Sequence, residues 1–217
     1  MMPSPWLPVV VLVVVGTAFA TLTRRVARRI GHSPNRFGTG DTAHDFVGRV
    51  YRVSGRILFV FLVARAISPG IDAEAGPVPA LVHPGMAWLG QGILTLGGGV
   101  ILAAQAGMGT SWRIGLDREL TGLVTTGLFA WSRNPTFLGM MAVVLGAFLV
   151  APTVVTGIVL AAAWVGFSIQ IRMEEEHLGR MHGPAYERYR AAAPRWIGLP
   201  GLRVAARASR DGPVNHG

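Results

Sequence analysis

Cysteine is absent from the 217 residues, which excludes disulfides, thiolate metal sites and a cysteine nucleophile together. Lysine is absent too, so every basic side chain is an arginine. Charge is scarce at 14%, acidic residues number only 11, and 51% of the chain is apolar. With a mean hydropathy of +0.44, this composition suits a small membrane protein better than a soluble domain. The net charge of +9 raises nucleic-acid binding as an alternative. The arginines flank apolar runs, however, instead of forming a basic stripe with interleaved aromatics, and that placement argues for a bilayer.

Apolar runs are what the chain has in quantity, and five are predicted to span. The first, residues 6–22, ends near a cleavage-like Ala18-Phe19-Ala20, but its positive charge follows it, in Arg24, Arg25, Arg28 and Arg29. A signal peptide carries that charge in front, so the run is read as an uncleaved span with its N-terminus outside. The second, 47–67, holds Arg49, Arg52 and Arg56 on one helical face, suited either to lipid phosphates or to a functional cluster. A Pro- and Gly-rich loop, 68–84, leads to a third span, 85–106, in which Gly97, Gly98 and Gly99 suit a packing notch for a neighbouring helix or, less simply, the close approach of a ligand to backbone. The last two runs, 136–150 and 154–171, are the arms of an apolar hairpin broken at Ala151-Pro152-Thr153. The segments 23–45, 107–134 and 172–217 then hold five, three and eight arginines, and the segments on the opposite side hold none. By the positive-inside rule the arginine-rich side is cytoplasmic. The expected fold is therefore all-α: a polytopic membrane bundle of about five transmembrane helices with a C-terminal helical hairpin and a cytoplasmic C-terminal segment. Its organisation reads as an N-terminal part (1–106), a core carrying the site (107–200) and a flexible tail (201–217).

The hairpin brings two polar stretches to one membrane face, Arg133-Asn134-Pro135 before it and Glu174-Glu175-Glu176 after it. Pro135 at a first helical position with Asn134 as cap predicts a helix start there, its positive dipole end beside Arg133. A guanidinium opposite carboxylates suits a zwitterionic ligand. Arg172 is expected to pair with Glu176 four residues on, leaving Glu174 and Glu175 for ligand. Gly139, Gly146, Gly157 and Gly166, with Ala142 and Ala162, are expected to let the two arms pack closely. Trp112, Phe129, Trp131 and Trp196 are placed as an interfacial belt would be, and Phe129 or Trp131 is also placed to stack on a base. Asp41, His44 and Asp45 read as capping residues for the second span. Glu174-x-x-His177 has the spacing of a di-iron ligand pair, but the apolar spans supply no second motif, so no metal site is expected.

In order along the chain, Gly127-Leu128-Phe129, Arg133-Asn134-Pro135-Thr136-Phe137, Glu174-Glu175-Glu176-His177-Leu178 and Gly183 with Tyr186 and Tyr189 resemble a known motif set. It is that of the integral-membrane methyltransferases related to isoprenylcysteine carboxyl methyltransferase and phosphatidylethanolamine N-methyltransferase. The resemblance covers about residues 107–200. It implies S-adenosylmethionine as cofactor and a lipophilic small-molecule or lipid acceptor, at the cytoplasmic side of an inner (plasma) membrane. The cofactor-binding residues it implies are Gly127, Phe129, Trp131, Arg133, Asn134, Pro135, Glu174, Glu175 and Tyr186, with no catalytic base assigned. Arg133 would clamp the cofactor's carboxylate and Glu174 or Glu175 its ammonium. Asn134 stands where the family has His, and Phe137 where it has Tyr, so neither position supplies a base here. A membrane reductase of the sterol-reductase type using NADPH, and a non-catalytic membrane protein, are the competing readings. Nothing in the residues selects the acceptor.

Overall fold

The computed structural model describes residues 1–33, 42–68, 70–112 and 122–198. Asp41, Arg113 and the expected tail lie outside these. The described residues are helical apart from loops and one isolated bridge, Pro77 to Thr153.

Helix α1, Trp6–Ile30, ends where Gly31 takes a left-handed φ of 77°. Helix α2, Ala43–Ile67, starts at Thr42, whose hydroxyl accepts from Asp45 N and donates to the Asp45 carboxylate. The short α3, Ile71–Glu74, and a 3-10 turn, Pro79–Leu81, lead to α4, Pro84–Met108, with proline in its first turn. A second 3-10 turn, Gly109–Ser111, precedes the one-turn α5, Leu128–Trp131, and then α6, Pro135–Val150. A reciprocal Thr153/Thr156 capping box opens α7, Val154–His182, and α8 runs Pro184–Ala192.

The long helices alternate in direction, so the bundle has two distinct ends. At one end Val78 N donates to Pro152 O and Val154 N to Gly76 O, both at 2.8 Å, and these two bonds fasten the loop after α2 to the hairpin turn. Within that loop region Arg65 Nε donates to both carboxylate oxygens of Asp72. The other end gathers the close of α1, α4 and α7 with the start of α2 and α6. Leu58, Leu62, Leu94, Ile101, Val143, Ala147 and Val159 fill the core between.

Helices α1, α4 and α7 are long and apolar enough to cross a membrane; α6 is apolar but has 16 residues. Helix α2 is as long as α1, but Arg49, Arg52, Arg56 and Arg65 interrupt its apolar face. Two helices outrun the expected spans: α1 continues to Ile30 and α7 to His182. Their extensions are rich in Arg, Met, Glu and Leu, good helix formers that need no bilayer to stay helical.

The expected packing of the hairpin arms through their glycines is corrected by the structure. Gly139 and Gly146 of α6 face α4, where a Cβ on Gly146 would lie 2.5 Å from Gly90 O and one on Gly139 2.8 Å from Gly97 O. Gly90 and Gly97 meet α6 backbone in the same way. Gly166 faces Tyr51 of α2, and Gly157 alone lies near the other arm, at Phe148. Positions seven apart on each of two helices form one seam, and that seam joins α4 to α6, which are distant in sequence.

Candidate functional site

The site is built where α5, α6, α7 and the segment after α8 meet. Gly127, with φ of 62°, turns the chain into α5, and only glycine adopts that conformation without strain. Phe129 is buried against Ala104, Tyr186, Tyr189 and Ala193, and its carbonyl accepts the Tyr189 hydroxyl at 2.8 Å. Trp131 is 48% exposed, and its carbonyl takes Gly198 N.

Arg133 and Glu175, 42 residues apart in sequence, form a buried ion pair at 2.9 Å. Arg195 meets the same carboxylate through Nε and Nη2, the latter at 2.8 Å. Asn134 adds a third donor, Nδ2, at 3.3 Å. Glu175 is thus shared by two guanidiniums and an amide, which keeps its charge compensated away from water. Arg133 also donates through Nη1 to the carbonyls of Arg190 and Ala193 and through its backbone to Pro194 O. Ser132 Oγ and Asn134 Nδ2 both donate to Arg195 O. These bonds strap residues 190–195 across the start of α6. Trp196, next in line, stacks on Trp164 of α7 at 5.5 Å.

Three local expectations are corrected. Asn134 does not cap α6 with its side chain; its amide is drawn to Glu175 and Arg195 O, and Ser132 Oγ takes the Asn134 N–H instead. Arg172 does not pair with Glu176: it donates to Ser168 O, and Glu176 pairs with Arg180. A cation C-terminal to its acid at i+4 is the better orientation on a helix, and for Glu176 that cation is Arg180. Trp112 is buried, edge-on to Phe19 of α1, instead of joining an interfacial belt.

Glu174 differs from its neighbour. Residues one apart on a helix project about 100° apart, and Glu174 turns toward α2, near Tyr51. Its hydrogen bond comes from Gln170 Nε2 at 3.0 Å, and among the described residues no cation pairs with it. Pro135 is buried at the first turn of α6. Tyr186 is 1% exposed with no partner for its hydroxyl among the described residues, as is true of Nε2 of His177 and of His182. Burial, with the Glu175 charge second, pushes the Tyr186 phenol up to about 12. Burial likewise pushes Tyr189 up, so both stay protonated donors at neutral pH. The Glu175 carboxylate holds the Arg195 guanidinium even more firmly protonated than usual.

All nine residues singled out from sequence therefore fall at one end of the bundle. Arg133, Asn134 and Glu175 contact one another, while Glu174 takes its hydrogen bond from Gln170 and Trp131 is half exposed. Arg195 and Ser132 were missed. The visible signal was Ala193-Pro194-Arg195-Trp196, a basic residue directly after a proline that follows α8, in a C-terminal segment where only Trp196 has an expected role.

Fold and site together define a helical membrane protein with a buried, charged, orphan-rich polar site at one bundle end. Over part of its length the chain is similar to integral-membrane methyltransferases of the isoprenylcysteine carboxyl methyltransferase and phospholipid methyltransferase type. Residues 86–185 match the family described as phospholipid methyltransferase, a stretch that begins in α4, earlier than the motifs themselves. Over 97 residues the chain is 32% identical to protein-S-isoprenylcysteine O-methyltransferase of Schizosaccharomyces pombe, covering 44% of this chain and 41% of that one. Its fold matches that of the eukaryotic intramembrane Ras methyltransferase ICMT (isoprenylcysteine carboxyl methyltransferase) with a TM-score of 0.52 at 20% identity, over 74% of this chain. The chain covers 55% of that structure's length, so it spans about half the length of these relatives or less.

Proposed function

We propose that the protein transfers a methyl group from S-adenosylmethionine to a lipophilic acceptor at the cytoplasmic side of the membrane. The observation that carries this reading is the convergence of Arg133, Asn134, Glu174, Glu175 and Tyr186, from three separated motifs, at one end of a membrane-type bundle. The unpartnered polar atoms there fit the donor's chemistry. A carboxylate and an ammonium call for a guanidinium and a free carboxyl group, and adenosine calls for hydrogen-bonding groups and an aromatic face. When bound, the donor supplies an activated methyl on a sulfonium, which needs no metal and no enzyme nucleophile.

The chain's own part is positioning and exclusion of water. Glu175 holds Arg133 and Arg195 in fixed orientations, and the strap of residues 190–195 closes the site from the aqueous side. Glu174, lacking a cationic partner among the described residues, is the acceptor for the donor's ammonium. Phe129 is walled into the cluster beneath α8, which leaves Trp131, with its exposed ring, as the aromatic free to stack.

The cytoplasmic orientation is supported by the arginines. Arg24, Arg25, Arg28 and Arg29 sit at the site's end of the bundle, while Arg65 at the opposite end is neutralised by Asp72. Equilibrium binding of labelled S-adenosylmethionine and of NADPH to detergent-purified protein tests the reading. Saturable binding of the first alone, with label passing into organic-extractable material on adding membrane lipids, is expected. Binding of NADPH alone would overturn it in favour of a reductase.

A further inference from the structure

The two guanidiniums at the site are not equally committed. An arginine carries five N–H donors. In Arg133, Nε and Nη2 bind Glu175 and Nη1 binds two backbone carbonyls, and the side chain is only 6% exposed. Arg133 thus has four of its five donors committed to Glu175 and the strap. Arg195 places Nε and Nη2 on Glu175, whereas its Nη1 edge has no partner among the described residues and its side chain is 38% exposed. The fully buried Tyr186, whose hydroxyl has no partner among the described residues, packs in the same cluster as Ala193, two residues before Arg195. Two guanidiniums on one carboxylate also leave the cluster with an uncompensated positive charge.

We infer that the free Nη1 edge of Arg195, with the Tyr186 hydroxyl, is the subsite that binds the ligand's carboxylate, and that Arg133 is a positioning residue. The inference rests on the methyl-donor reading above and assigns the anionic end of that donor to a residue outside the hairpin motifs. Arg195 is suited to it because one edge of its planar fork is fixed by Glu175, so little freedom is lost when the other edge takes a carboxylate. The charge balance agrees: a carboxylate on Arg195 neutralises the surplus cation of the Glu175 cluster.

The test uses calorimetric titration of the full chain in detergent with S-adenosylmethionine and with its decarboxylated analogue. Arg195→Gln is expected to weaken binding of the intact donor by about ten- to a hundredfold, the worth of a charged hydrogen bond. The same variant should bind the decarboxylated analogue within about twofold of wild type, because the group that Arg195 would contact is missing from it. Arg195→Lys keeps a cation beside Glu175 but lacks the second edge. It should show the same selective loss, and it serves if Arg195→Gln does not fold. An equal loss for both ligands, or none for either, would overturn the subsite. Failure of the wild-type protein to bind either ligand would instead remove the methyl-donor reading, and the subsite with it.

Discussion

Glu175 is the residue on which the polar end of the bundle turns, since α6, α7 and the C-terminal segment meet through its two oxygens. Glu175→Gln leaves two guanidiniums facing a neutral amide, and removing one partner of a buried pair costs roughly 3 kcal/mol; thermal unfolding in detergent should show the loss. The two tyrosines of α8 predict a contrast. Tyr189→Phe removes a bond to Phe129 O and should cost about 1 kcal/mol. Tyr186→Phe removes a hydroxyl without a partner among the described residues. It should leave the ligand-free protein as stable as before or more so, while weakening binding of the donor. Both phenols also predict a pH dependence. An unfolded tyrosine loses its proton near pH 10, whereas Tyr186 keeps its proton until about 12. The folded state binds more protons in that window, so stability is full below pH 10 and falls as pH rises toward 12. Unfolding midpoints measured from pH 8 to 11 should decline, and Tyr186→Phe should flatten the decline.

At the scale of elements, the seam between α4 and α6 holds the bundle at its narrowest. Gly146→Ala would drive a methyl to 2.5 Å from backbone atoms of Gly90 and Leu94, forcing the helices apart at a cost of about 1–3 kcal/mol. Gly157→Ala meets nothing closer than Phe148 at 3.6 Å and should be neutral or stabilising by up to about 1 kcal/mol, the difference in helix propensity. Unfolding of the two variants side by side separates seam from filler. The helices themselves were legible because runs of apolar residues bounded by Pro135, Thr153 and Pro184 leave little else to form. The partners of those helices were not legible: two glycines seven residues apart say that something approaches closely, but not which helix. The site shows the same division. Its hairpin residues carry a motif, so Arg133 and Glu175 could be brought to one membrane face from sequence, but they were expected to hold opposite ends of a ligand, whereas they pair with each other. Arg195 joins them through a reversal at Gly183 and a strap fixed mainly by backbone carbonyls, and no side-chain pattern records where carbonyls point.

For the whole molecule, the direction of the bundle in the bilayer decides how two unlike reactants meet. A chain without cysteine accepts single reporters cleanly, so Glu74→Cys should be labelled from outside intact cells and Arg190→Cys only after permeabilisation. Labelling of position 190 from outside would reverse the orientation and remove the cytoplasmic supply of donor. The acceptor's route follows from what surrounds the site. Helix α7 presents Trp164, Val165 and Ile169 outward, and Trp196, directly after the strap, stacks on Trp164. The polar end therefore continues directly into an exposed apolar surface. An acceptor sliding along that surface from the lipid would reach the site without crossing water, while the donor arrives from the opposite direction. Lateral entry predicts that activity toward a homologous acceptor series rises with alkyl length, since each buried methylene is worth about 0.8 kcal/mol until the chain outgrows the surface. Trp164→Ala should lower the activity of long-chain acceptors more than that of short ones, by removing apolar surface they cover. Steady-state rates on the series in both proteins check this, and short water-soluble acceptors that match the long ones would place the acceptor's entrance on the aqueous side instead.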